Sequence, residues 1–174
     1  MAGLPAAGKS TVAEGLARAV GCAVLSVDPV EAAMWRAGVG REQPTGLAAY
    51  VVVEVLAAEQ LALGHGVIID AVNGVGPARE QWRGLAGRTG SALAFIEVRC
   101  SDEAEHRRRL EGRQRRIDGF PEPTWESVQA RRVRFADWHD ERLVLDSIAP
   151  VDDTVRLALE YLAEVSALAQ ARHR

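Results

Sequence analysis

At 174 residues, with 48% hydrophobic and 26% charged side chains, the chain has the size and composition of one globular domain with a substantial core. A net charge of −3 excludes a surface that coats nucleic acid by bulk charge. Cys22 and Cys100 have neither metal-ligand spacing nor a disulfide framework, no apolar run reaches the ~20 residues that span a bilayer, and no secretion pattern opens the chain, so a cytoplasmic protein with free thiols is expected.

In chain order, the first feature is the run Gly3, Leu4, Pro5, Ala6, Ala7, Gly8, Lys9, Ser10, followed by Thr11. It fills every fixed position of the phosphate-binding pattern G-x-x-x-x-G-K-[ST]. Lys9 is the only lysine in the chain; every other basic side chain counted with it is arginine. Glycines let successive backbone N–H groups turn inward around phosphate oxygens. The ammonium reaches the β- and γ-phosphates as a compact charge on a flexible stem, which a planar guanidinium does not mimic. Ser10 offers a hydroxyl to Mg²⁺, and the helix opening at Thr11 favours anions at its N-terminus. The rival reading is a Gly-rich turn ahead of a surface helix.

Apolar periodicity then alternates between helical stretches and short β-branched runs. A helix is predicted over 9–20, ending near Gly21, then a strand over 23–27 that delivers Asp28 at its C-terminal end. A short helix to Ala37 and a long Ala- and Val-rich helix over 45–63 follow. Residues 66–70 form the clearest strand, apolar until Asp70, as a strand covered on both faces should be. Beyond it come a helix over 77–88, a strand over 92–98, a charged helix over 102–113 and a polar loop over 114–123. A helix over 125–138, a short strand over 142–145 and a closing helix over 151–169 complete the chain. Strands alternating with helices imply right-handed crossovers and a parallel sheet between helical layers. A phosphate loop normally leaves a buried strand, yet only Met1 and Ala2 precede Gly3. The chain therefore reads as N-terminally short, through a late-assigned start, trimming or truncation, with its first strand absent or reduced to a stub.

The order of these pieces resembles the small P-loop kinases of the nucleoside-monophosphate-kinase superfamily, most of all shikimate-kinase-like and chloramphenicol-phosphotransferase-like enzymes and related bacterial "predicted kinases". The resemblance covers nearly the whole chain. It rests on residues 3–11, Asp28, the segment Val67, Ile68, Ile69, Asp70, Ala71, Val72, Asn73, the arginines of 109–113 and the late strand leading to Asp146 and Ser147. It implies a three-layer P-loop NTPase fold, α/β, with a five-stranded parallel sheet ordered 2-3-1-4-5. It also implies one kinase domain over 1–174, ATP and Mg²⁺ as cofactors, and an arginine-bearing lid around 113–124.

The remaining candidates each carry a rival reading. Asp70 suits Mg²⁺ or its waters, in the manner of a Walker B aspartate, or caps the next turn. Asn73 orients a water or the acceptor, or is a plain turn residue. Asp28 orients an acceptor hydroxyl and takes its proton, or caps the helix begun by Pro29, or does both. Arg107, Arg108, Arg109, Arg113, Arg115 and Arg116 crowd a stretch whose Glu105 and Glu111 partners also suit a solvated, salt-bridged face. By the resemblance, Arg113 stacks on adenine, Arg109 or a lid arginine such as Arg116 meets the phosphates, and the loop with Pro150 cradles the base. Arg79 either faces acceptor anions or is exposed. Trp35, two helical turns beyond Asp28, is the preferred pocket tryptophan, against a core role.

Together these point to an ATP-dependent phosphotransferase acting on a small hydroxyl-bearing acceptor. The alternatives are a nucleoside or polynucleotide 5′-hydroxyl kinase and an ATP-binding regulatory protein with little turnover. A nucleic-acid partner and a membrane are not expected. The identity of the acceptor and the oligomeric state leave no mark in the sequence.

Overall fold

The structure, a computed structural model, describes residues 1–113 and 122–172. Arg115, Arg116 and most of the expected lid lie outside the described residues. The elements are α1 (Lys9–Val20), β1 (Ala23–Ser26), α2 (Val27–Arg36), α3 (Thr45–Ala62), β2 (Val67–Asp70), α4 (Gly76–Thr89), β3 (Ile96–Arg99), α5 (Glu103–Glu111), α6 (Trp125–Arg132), a 3-10 turn (Val133–Phe135), β4 (Leu143–Asp146) and α7 (Val151–Arg172).

Local chemistry sets several boundaries. Gly21, left-handed at φ 70°, closes α1 by donating its N–H to Ala17 O. The Asp102 and Thr124 side chains cap α5 and α6 by accepting from the N–H of Glu105 and of Ser127. Pro77 sits in the first turn of α4, where its missing N–H is not needed.

β1 pairs with β2 in parallel, Ala23 opposite Val67 and Ser26 opposite Asp70. β3 pairs with β4 in parallel, Ile96 opposite Leu143 and Arg99 opposite Asp146. Only the first three residues run between these pairs. The Met1 amine donates to Ile69 O (2.7 Å), Ala2 N donates to Ile96 O (2.7 Å), and Ala2 O accepts from Val98 N (2.9 Å). Ala2 makes a parallel bridge with Glu97. In place of one five-stranded sheet, the described residues therefore form two parallel pairs joined by a one-residue bridge, because too few residues stand there to build a ladder.

Side chains alternate across β2, as strand geometry requires. Ile68 packs with Val12, Leu16, Val98 and Leu145 beneath α1 and α7. Val67 and Ile69 pack with Val53, Trp82, Leu85 and Trp138 on the side of α2, α3 and α4. Each fully buried aliphatic side chain contributes roughly 1.5–3 kcal/mol. α3, 18 residues with a mean hydropathy of 1.4, is long and apolar enough by length and composition to cross a membrane. Here it buries Thr45, Ala49, Val53 and Ala57 against its neighbours.

Three boundaries depart from expectation. β1 stops at Ser26, so Asp28 lies in the first turn of α2 rather than at a strand end. β3 begins at Ile96, since hydrogen bonding with β4 starts only where Leu143 reaches it. The helix expected over 125–138 ends at Arg132 and tightens into the 3-10 turn. The tighter turn brings Phe135 and Trp138 into the core while Val133 stays exposed.

Candidate active site

The phosphate loop takes its shape from three left-handed residues: Gly3 (φ 146°), Ala6 (φ 61°) and Gly8 (φ 93°). A Cβ on Gly3 would lie 2.4 Å from Val98 O, and one on Gly8 would lie 2.8 Å from Ser147 Cβ. Glycine at both positions is thus demanded by backbone conformation and by close approach.

The loop forms one wall of a cavity of about 380 Å³, where Ala6, Gly8, Lys9, Ser10 and Thr11 face Arg109 of α5 and Arg113 just beyond its end. Ser147, Ala149, Val151 and Thr154, from the turn after β4 and the start of α7, close its far side. Pro150 is exposed in that turn, and its carbonyl accepts from Thr154 N. Arg109 is aimed by three bonds: Nε to Glu105 (2.7 Å), Nη1 to Ser147 Oγ (2.8 Å) and Nη2 to Ser147 O (3.2 Å). The Arg108 and Arg109 guanidinium groups hold the Glu105 carboxyl down to about 2. Glu105 thus joins an exposed arginine, Arg108, to the one on α5 that reaches the cavity, Arg109.

Lys9 is buried, with Nζ 3.7 Å from Asp70 Oδ1. Ser10 Oγ donates to Asp70 Oδ2 at 2.6 Å, and Ser26 Oγ lies 3.4 Å from the same oxygen. Asp70 Oδ1 is buried with no hydrogen-bond donor. A hard cation bound mainly through substrate phosphates and water needs only one or two protein oxygens. The Ser10 hydroxyl and the undonated Asp70 oxygen meet that need. Among the described residues there is no cluster of three or more His, Cys, Asp or Glu that could hold a metal by itself.

Asp28 is half-buried near the same end of the strands. Its charge and that of Asp70 reach Tyr50 of α3, whose hydroxyl is pushed up mainly by burial and further by both carboxylates. Tyr50, which the sequence reading missed, stacks on Trp82 and accepts from Asn73 N at 3.4 Å. The Asn73 side chain bonds within the protein: Nδ2 donates to Met1 O (2.8 Å), and Oδ1 accepts from Trp82 Nε1 (2.9 Å). Arg79 is neither exposed nor turned to the cavity. It is buried over the Trp138 ring (4.6 Å), donates to Asn73 O and pairs with Asp140. Trp35 does not line the cavity beside the phosphate loop; its Nε1 donates to Thr45 Oγ1 (3.0 Å), tying α2 to α3.

Two further buried polar groups also escaped the sequence reading. His106 Nε2 lies 2.8 Å from Pro5 O, beneath the phosphate loop. Glu97 accepts from Arg99 Nε and Arg142 Nε, each at 2.6 Å. Pro5 and Arg142 lie far from His106 and Glu97 in sequence, so no local pattern marks these two contacts.

Residues 1–135 match the AAA domain family AAA_33. The chain belongs to this family. Among curated proteins, this AAA_33 chain is 34% identical over 166 residues to the uncharacterized protein Rv2004c of Mycobacterium tuberculosis. The match takes in 88% of the chain but 32% of that protein, so the chain spans about a third of its relative's length. Chaetomium thermophilum Kti12 in complex with ADP-AlF3 superposes with a TM-score of 0.71 at 16% identity, covering 94% of this chain and 96% of that one. A gluconokinase from Sinorhizobium meliloti superposes with a TM-score of 0.66 at 18% identity, covering 99% and 93%. The AAA_33 chain has the fold of the small P-loop kinases.

Proposed function

We propose that this protein is an ATP-dependent phosphotransferase that moves the γ-phosphate of ATP to a hydroxyl of a small-molecule acceptor. The observation that carries the reading is the junction of Lys9, Ser10 and Asp70 at the mouth of a phosphate loop whose cavity extends to Arg109 and Arg113. Lys9 and the loop amides bind the triphosphate, and Arg113 and the turn around Pro150 hold the adenine. Ser10 and Asp70 would hold Mg²⁺, which when bound spreads the negative charge of the phosphates. Asp28 orients the acceptor hydroxyl and receives its proton as the acceptor oxygen bonds to the γ-phosphorus and the bond to ADP breaks. Arg109, and Arg116 from a lid around 113–124, neutralise the charge of the transferring group. Residues 1–174 act as one domain in this reading, and residues 1–3 stand in for the central strand of a 2-3-1-4-5 order. The site asks nothing of a membrane or a nucleic acid, in keeping with a cytoplasmic enzyme.

The test is ATP consumption by the unaltered chain and Lys9→Ala, with Mg²⁺, across sugars, other small alcohols, antibiotics and nucleosides. Stimulation by one class, lost in Lys9→Ala, supports the kinase and identifies its acceptor chemistry. ATP binding without stimulation by any class would instead favour a regulatory nucleotide-binding protein.

A further inference from the structure

We propose that His106 is a positioning residue of the phosphate loop, fixing the Pro5–Ala6 peptide so that its N–H faces the nucleotide phosphates; this rests on the nucleotide reading of the site. His106 is 1% exposed and lies on α5, with Nε2 2.8 Å from Pro5 O. A carbonyl only accepts, so Nε2 carries the proton and donates.

The effect on the loop follows from peptide geometry. The C=O and N–H of a trans peptide point in opposite directions. Drawing Pro5 O toward α5 therefore sends Ala6 N–H the other way. The loop has two faces that match this: Ala6, Gly8 and Lys9 line the nucleotide cavity, while Leu4, Ala7 and His106 line a separate space of about 610 Å³ behind it.

The turn itself does not favour that orientation. Ala7 N donates to Leu4 O (3.1 Å), closing a four-residue turn with Pro5 second and Ala6 third. Ala6 has φ 61°, the mark of a type II turn, whose third position normally calls for glycine. Type I and type II turns differ by a flip of the central peptide, here Pro5–Ala6. The proline ring fixes φ of Pro5, which leaves this flip as the free motion. An alanine prefers the type I form, with negative φ and the carbonyl turned about. In this loop that form would aim Pro5 O, instead of Ala6 N–H, at the phosphates. The His106 donor selects against it. His106 is held in turn by Trp125, edge-on at 5.3 Å, at the start of α6.

The test measures binding, without turnover, by calorimetry on the full chain with ATP and with inorganic tripolyphosphate. The latter engages the loop but not the adenine pocket. His106→Phe keeps a ring against Trp125 and deletes the donor. It should weaken both ligands by the same factor, about tenfold, the worth of one hydrogen bond. His106→Gln, which keeps a donor, should stay within about threefold. Adding Ala6→Gly to His106→Phe should recover most of the loss, because glycine accepts the type II turn unaided. Rescue of this kind separates loop positioning from general damage, and His106→Leu repeats the measurement should the Phe variant not fold. The proposal is overturned if a folded, donorless variant binds tripolyphosphate as the unaltered chain does, or if neither Gln nor Ala6→Gly restores binding. If the unaltered chain binds neither ligand, the nucleotide reading falls as well.

Discussion

The Ser10 hydroxyl donates to Asp70 Oδ2 across 2.6 Å, joining the first turn of α1 to the last residue of β2. The Asp70 carboxylate also faces Lys9, so one residue organises both cation and hydroxyl of the phosphate loop. Asp70→Asn is expected to lower Mg²⁺-dependent ATP turnover by about 100-fold. ATP binding in the presence of a chelator should change much less. Steady-state kinetics and calorimetry with and without Mg²⁺ check this, and equal losses under both conditions would argue for a purely structural aspartate.

The two close-approach glycines separate by what they meet. Gly3→Ala drives a Cβ against the Val98 carbonyl, which is backbone, at a φ disfavoured for alanine. The expected loss of stability is roughly 2–4 kcal/mol. Gly8→Ala also takes a disfavoured φ, of 93°, but its Cβ approaches Ser147 Cβ less closely, at 2.8 Å against 2.4 Å for Gly3, so it should lose stability too, though less. Thermal melting of both variants tests the ranking.

Asn73 is buried at φ 51°, with its amide spent on Met1 O and Trp82 Nε1. Asn73→Ala leaves a buried indole N–H without its partner, at a cost of about 2–3 kcal/mol. Asn73→Gly loses the same bonds but tolerates the backbone, so it should be the less damaged of the two by chemical denaturation.

Glu105 carries a pH dependence. Its carboxyl falls from 4.5 to about 2 in the folded chain through bonds from Arg108 and Arg109. A group lowered on folding contributes stability that is complete above its unfolded value and lost as pH falls through the folded one. That contribution is therefore present above about 4.5 and gone below about 2. Glu105→Gln should flatten the fall in denaturation midpoint across this window. An unchanged slope would remove the pair from the acid response.

Beside Met1, a groove of about 720 Å³ runs between β2 and β3, lined by Ile69, Leu85, Phe95 and Leu159 among others. Four β-branched residues added ahead of Met1 should pair with both strands and bury apolar surface there. A rise in melting temperature, from about 1–3 kcal/mol of added stability, is the expected outcome. No rise would mean that the groove does not accept a strand.

The phosphate loop and α1 were legible because their signals are local: fixed motif positions, one lysine and a glycine that ends the helix. The β2 strand was legible because four apolar residues lead straight to Asp70. The end of β1 was misplaced by one residue, since Val27 reads as strand but serves as the first, buried residue of α2, which puts Asp28 in the helix. The contacts made by Asn73, Arg79 and His106 were illegible. Each is satisfied by partners that folding brings together, Met1 and Trp82 for the first, Asp140 and Trp138 for the second, Pro5 for the third. Periodicity ranks a polar residue as exposed unless something nearby can pair with it, and none of these partners is nearby in sequence.

The Trp138 indole lies between two guanidinium groups, Arg79 at 4.6 Å and Arg142 at 4.5 Å, and meets Phe95 edge-on. Arg142 continues to the buried Glu97 of β3, and Leu143 N donates to Phe95 O. The family match stops at residue 135, just short of Trp138, Arg142 and Leu143. The packing around Trp138 therefore draws on residues from both sides of the end of the family match. A protein cut at 135 would keep the whole phosphate loop yet take Trp138 and Asp140 from Arg79 and Arg142 from Glu97, so it is expected to be less stable than the longer chain.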